Sequence, residues 1–549
     1  MLRILDPSYV QIMSSDAGSP DMETEQPAVR PRRRGRAQRV GARNRNATPG
    51  HAPVLRRRIP TYELLDDDDL TRLEQHADWI LDEIGVEFRG DEEALELFDG
   101  AGARIERLAA DKNGVTAGRV RFEPGLAARL CATTPTQFDM YGRDGRVIPI
   151  GGDNVVLLPA YGPPFVSDLD QGRRYATLED FENFVKLTYS TQWLHHSGGT
   201  VCEPVDVPVN KRHLDMVYAH LRYSTKPFMG SVTAPERAED SIEMARIVFD
   251  ATCGPGYLDD HCVIQGNINV NSPLVWDDVM SGALKAYARA NQGCVISPFI
   301  IGGAMGPVTQ PALIAQAHAE AMTGIALSQL VRPGSPMVYG NFLTTMNLKS
   351  GAPTFGTPES VLATYAIGQL ARRLGLPLRC GAHYTASKTC DGQAMGESAD
   401  AMNAGLLAGT NFVIHAAGWL EGGLVMSYEK FMMDLDRCAQ LHHQLPGLVL
   451  DDNQLAADAY REAGPGVAFL GTAHTMANFA TANYNSPLAD TSSFEQWSDE
   501  GSLDTQQRAN AQWKATLTAY EPPPMTPTIE LALQTFVEER KRSMPDAWY

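Results

Sequence analysis

Apolar residues recur at helical spacing soon after residue 60. In DDDDLTRLEQHADWILDEIGVEF, Leu70, Leu73, Ala77, Ile80, Leu81 and Ile84 fall on one face. The run of aspartates sits in the first turn, where the helix dipole favours negative charge, so a helix is expected there. Up to about residue 190 short strand-like runs such as VRFEP and NVVLLPA mix with helical text such as LEDFENFVKLTYS. This predicts an α+β layer that packs against the larger, C-terminal part of the chain.

From Trp193 to His474 the pattern becomes regular. Eight short apolar runs, WLHHSGG, KPFMGSV, HCVIQGNINV, GCVISPFIIGG, PMVYGNF, PLRCGAH, NFVIHAAG and VAFLGTAH, are each followed by a helix-like stretch. Each run is nearly continuous in apolar character, as a strand covered on both faces should be. Thr357-Pro358-Glu359 reads as a helix start and Gly375 as its far end. Eight βα units predict an α/β fold of the TIM (β/α)8 barrel type. The expected organisation is a disordered Arg-rich arm at 1–58, an N-terminal α+β layer at 59–190, the barrel at 191–475 and a C-terminal helical extension at 476–549.

Charge changes the picture at one end. Val29 to Arg58 holds eleven Arg and no acidic residue, so a net charge of -19 leaves about -30 on the rest. An acidic body repels phosphate backbones, so nucleic acid is not an expected partner. The basic arm has few large apolar residues to offset its ordering entropy. The eight Cys include no C-x-x-C pair and read as reduced. No stretch has the apolar length of a membrane span and the start lacks a signal layout, so a cytoplasmic protein without membrane contact is expected.

Barrel chemistry gathers at the carboxyl ends of strands, and here these ends are polar. They read His195-His196, Ser231 to Thr233, Gln265-Gly266-Asn267, Gly302-Gly303, Tyr339 to Phe342, His383-Tyr384, His415 and His474. After the sixth run, GAHYTASKTCDGQAMGES is the densest polar stretch of the body. Gln393 and Glu397 are four apart and share a helix face, so His383, Gln393 and Glu397 are the catalytic candidates. Zinc-ligand spacings, nucleotide-binding glycine motifs and a nucleophile elbow are all missing, so no bound metal is expected.

The segments RRRGRAQR, YGNFLTTMNLKSGAPTFGTPES, SKTCDGQAMGES and AGTNFVIHAAGWLEGGLVMSYEKFMMD resemble the trimethylamine methyltransferase family over most of the chain. The resemblance implies a barrel whose mouth binds a methylated amine and docks a corrinoid carrier protein that takes the methyl group on Co(I). It also implies homo-oligomers. Archaeal trimethylamine enzymes of the family carry pyrrolysine near the sixth strand, whereas GAHYTASKTC holds only standard residues. Members without it are similar to glycine betaine methyltransferases. A quaternary ammonium already departs as a neutral amine and needs no such activation.

That substrate sets the expected walls. A quaternary ammonium has no N–H to donate, so aromatic faces hold it; Tyr161, Tyr339, Phe342, Tyr384 and Trp419 are the candidates, with His415 beside them. A betaine carboxylate needs donors, for which His383, Gln265, Asn267 and Asn341 are placed. The corrinoid is expected on the partner, because the corrinoid-binding pattern D-x-H-x-x-G fails at Ile264. Other readings stay open at this point: another methylamine as substrate, a lyase or hydrolase using His383 and Glu397, or a catalytically silent betaine-binding regulator.

Overall fold

The computed structural model describes residues 50–548. Most of the Arg-rich arm lies outside the described residues. Its expected end at 58 comes too late: Leu55–Arg56 is a strand that pairs antiparallel with Val155 and Asn154. The side chain of Arg57 is almost wholly buried and held by Asp153 at 3.3 Å.

The first helix forms as the pattern predicts. Asp66 accepts from the backbone N–H of Asp69 and caps Asp67–Trp79, with Asp67, Asp68 and Asp69 in the first turn. A wider turn, Ile80–Ile84, continues it to Gly85, whose φ of 77° ends it. Helices Leu178–Ser190 and Pro358–Arg373 also appear where the sequence puts them.

The centre is a curled, parallel sheet in which Phe228–Met229, Ile264–Val270, Gly293–Gly302, Met337–Gly340 and Leu378–Arg379 pair in that order. Backbone bonds carry the curl further at both ends. Asn411 donates to Leu378, and Phe412–Val413 pairs parallel with Asn154–Leu157. His195 donates to Leu157, and Ser197 to Pro227, next to the strand Phe228–Met229. Eight segments therefore succeed one another and return to the start.

One member of that ring differs from the expected set. NVVLLPA, expected in the N-terminal layer, supplies a ring strand, whereas VAFLGTAH does not. The latter forms a 3-10 turn at Phe469–Gly471 and a helix at Ala473–Asn478. Val467 and Leu470 there are largely exposed. The physical reason is edge satisfaction: Asn154–Leu157 already occupies the place beside Phe412–Val413, so no unpaired edge awaits an eighth strand.

Side chains alternate across the sheet. Val156, Leu158, Val295, Val338, Phe412 and Ile414 cluster inside the curl, while Cys294, Ile296, Met337 and Tyr339 join the outer core with the helices. Helix Gln310–Val331 is buried almost all round, which is why it lacks a polar stripe. Towards the C-terminus, helix Thr505–Thr518 lays Trp513 on Tyr428 at 4.6 Å, and Arg540 of helix Pro527–Arg542 bonds Asp240 at 2.7 Å. Among the described residues no helix is long and apolar enough to cross a membrane.

Candidate functional site

Aromatic side chains converge at the carboxyl ends of the strands. Phe342 lies 5.3 Å from Tyr384, 5.6 Å from His415 and 5.8 Å from Trp419 between ring centroids. His415 meets Trp419 edge to face at 4.4 Å, and Tyr384 meets Trp419 at 5.3 Å. Phe355 closes one side at 5.7 Å from Tyr384, and Phe299 adjoins Phe342 at 4.9 Å. Tyr384, His415, Trp419 and Phe355 are buried, whereas Phe342, Phe299 and Tyr161 are partly exposed. Three of the five expected ring positions, Phe342, Tyr384 and Trp419, therefore lie here, while Tyr161 reaches the cluster through its backbone N–H to His415; Phe355 and Phe299 were missed, although Phe355 stands in the family-like motif SGAPTFGTPES.

His415 is fixed by its backbone. Its φ of 73° is unusual for a residue with a side chain, and the turn brings its Nδ1 to accept from the N–H of Tyr161 at 3.1 Å. Its own N–H donates to Pro159 and its carbonyl accepts from His383. Burial, and then the Arg379 charge, push its pKa well down. It presents a neutral ring at neutral pH.

Tyr339 is not at the mouth. Its hydroxyl bonds His318 Nδ1 at 2.9 Å in the outer core, because in Met337–Gly340 the inward positions are Val338 and Gly340. The other strand-borne candidates stay near the axis. Asn267 is buried and its Oδ1 accepts from Ser297 Oγ at 3.1 Å. Gln265 is fully buried with neither amide atom bonded. Asn341 turns its Oδ1 to the N–H of Leu343 at 3.0 Å, so it shapes a local turn.

The three catalytic candidates stand in two separate arrangements. Glu397 accepts from Thr385 Oγ1 at 2.7 Å, from the Ala386 N–H at 2.8 Å and from Gln393 Nε2 at 2.8 Å. With Gln393 exposed, the pair clamps the loop after the sixth run. His383 is buried and its Nδ1 donates to the Ala416 carbonyl at 2.7 Å. Behind it, on helix Tyr428–Gln444, the fully buried pair Lys430–Asp434 is 2.6 Å apart. Asp434 also accepts from the Gly418 N–H at 2.9 Å, and Lys430 donates to Ser398 at 3.0 Å. This pair, which sequence reading missed, ties the Trp419 loop to the helix; its only sequence signal is the i,i+4 spacing in SYEKFMMDLD.

Burial sets a pH dependence. It lowers the pKa of His220, His318 and His383 from 6.5 to about 4. Between those values the unfolded chain binds protons that the folded chain excludes, so this stability is complete above about 6.5 and is lost as pH falls towards about 4. The urea midpoint should drop between pH 7 and pH 5, with uptake of more than three protons on unfolding, because burial also lowers His442, His415, His195 and His196. A flat midpoint over that window would contradict the assignment.

A curled parallel sheet with a cluster of rings at its carboxyl edge is the frame in which such folds place their sites. The chain belongs to the trimethylamine methyltransferase family, whose model matches residues 32–545, and is a methyltransferase. It is 38% identical over 487 residues to a glycine betaine methyltransferase of Desulfitobacterium hafniense, covering 88% of this chain and 98% of that one. It is 26% identical to an L-carnitine:corrinoid methyltransferase of Eubacterium limosum, covering 86% of this chain and 96% of that protein. A trimethylamine methyltransferase of Desulfitobacterium hafniense is 25% identical over 86% of this chain and 93% of its own length. Among solved structures, the Methanosarcina barkeri monomethylamine methyltransferase is similar at TM-score 0.44 and 11% identity, covering 84% of this chain and 95% of that one.

Proposed function

We propose that the ring of eight segments is a (β/α)8 barrel and that its mouth removes a methyl group from a quaternary amine of the betaine type. The acceptor is a corrinoid on a separate carrier protein, bound as a second substrate. The observation that carries this reading is the ring cluster of Phe342, Phe355, Tyr384 and Trp419. Aromatic faces attract a cation that has no hydrogen bond to give. The substrates after which the glycine betaine and carnitine relatives are named support the same chemistry.

The reaction asks little of acids or bases. The acceptor's Co(I) supplies the electron pair that bonds the methyl carbon, and the C–N pair leaves with nitrogen as a neutral tertiary amine. No proton is released from the methyl group. This chain's residues then bind the cation, orient one methyl group towards the opening and keep water away. The neutral imidazole of His415 suits that role, since a second fixed positive charge would repel the substrate.

Incubation with Co(I) cobalamin and a panel of quaternary and tertiary amines tests the proposal by following methylcobalamin. Turnover of one or more betaines is the expected result. Turnover of trimethylamine alone would overturn it.

A further inference from the structure

We propose that Arg379 anchors a carboxylate on the substrate and so selects zwitterionic quaternary amines over purely cationic ones; this rests on the quaternary-amine reading above. Arg379 sits in the sixth run, PLRCGAH, and pairs in register with Gly340. Strand alternation turns it inward, since Leu378 before it belongs to the outer core. A Cβ at Gly340 would strike the Ile296 carbonyl and Ser297 Oγ, so only glycine fits the close approach of the strands there. Nη1 donates at 2.6 Å to the carbonyl of Asn341, one residue beyond the end of Met337–Gly340, so the side chain leans towards the carboxyl edge. Its guanidinium carbon lies 5.0 Å from the Phe342 ring centroid.

The side chain is 1% exposed, yet among the described residues no carboxylate forms an ion pair with it and its Nε has no partner. A buried charge without a counter-ion is strongly disfavoured, and such a group is ordinarily paired or matched by a ligand. The neighbouring Tyr384 hydroxyl is also buried without a partner. Two unmet donors therefore adjoin a cluster of rings. In a small betaine one methylene carbon separates the trimethylammonium from the carboxylate, so the cation reaches the rings while the anion reaches the guanidinium. The planar fork of arginine matches a carboxylate in two-point contact.

Calorimetry on the intact protein tests this with three probes: glycine betaine, choline, which replaces the carboxylate by an alcohol, and 3,3-dimethylbutyrate, which keeps the carboxylate but replaces nitrogen by carbon. Wild type should bind glycine betaine at least ~30-fold more tightly than choline, in line with one charge-assisted pair, and should bind 3,3-dimethylbutyrate measurably. Arg379→Met should bring the preference within about threefold and abolish dimethylbutyrate binding, while Arg379→Lys keeps part of both. A purely structural arginine would weaken all probes together and leave the ratio unchanged, which would overturn the proposal. Equal wild-type affinity for glycine betaine and choline would overturn it as well, leaving the quaternary-amine reading intact. Binding of dimethylbutyrate without any quaternary amine would sink that reading and leave the anchor standing; binding of none of the three would sink both. If Arg379→Met does not fold, the wild-type ratio and Arg379→Lys decide.

Discussion

Replacing Asp434 by alanine is expected to cost about 3–5 kcal/mol of folding stability, the range for breaking a buried ion pair. The carboxylate and the Lys430 ammonium are fully buried at 2.6 Å. Removing one partner strands the other in a medium that cannot solvate it, and also frees the Gly418 N–H that Asp434 holds at 2.9 Å. Denaturant titration of the variant should show the loss. A double replacement, Lys430→Met with Asp434→Leu, should recover most of it, because two apolar side chains need no mutual compensation. A single-variant loss below ~1 kcal/mol would mean that the pair does not secure this helix.

Trp419 carries the largest expected effect on turnover. Its indole N–H donates to the Thr385 carbonyl at 3.2 Å, and its ring meets His415, Tyr384, Phe342 and Phe355. A desolvated cation–π contact is worth roughly 2 kcal/mol, or about 30-fold. Trp419→Leu should therefore lower kcat/KM for a betaine by about 30-fold in the cobalamin assay, whereas Trp419→Phe, which keeps a ring face, should lose several-fold less. If Trp419→Leu stays folded and turns over at the wild-type rate, the ring is packing alone.

The two variants separate kinds of information. Phe342, Tyr384 and Trp419 were legible because aromatic residues at or just beyond the ends of apolar runs are visible one run at a time, whereas Phe355 and Phe299, which complete the cluster, were not. The ion pair was not: in SYEKFMMDLD a lysine and an aspartate four apart read as an exposed helix pair. Only the packing of Tyr428–Gln444 under the Gly418 turn shows them to be buried. Arg379 also went unremarked in the sequence, where PLRCGAH reads as one more apolar run; which face of the strand the charge takes and what it lacks are questions of neighbours. His383, Gln393 and Glu397 show the converse. Their polarity drew attention, and tertiary contacts supply partners for part of each: the Ala416 carbonyl for His383 Nδ1, and Thr385 and Gln393 for Glu397.

By itself, the sequence determined the helix and strand periodicities, the placement of polar and aromatic residues at strand ends and the family. These are properties of short windows, in which spacing alone decides which side chains share a face. The tertiary structure decided which runs pair and which polar side chains remain unmet. NVVLLPA joins the ring and VAFLGTAH does not, although both are apolar and strand-like, because hydrogen-bond edges are satisfied by partners distant in the chain. Tyr339 turns to His318 while Arg379 turns inward for the same reason: register between strands, which no single run encodes, sets the face each residue presents.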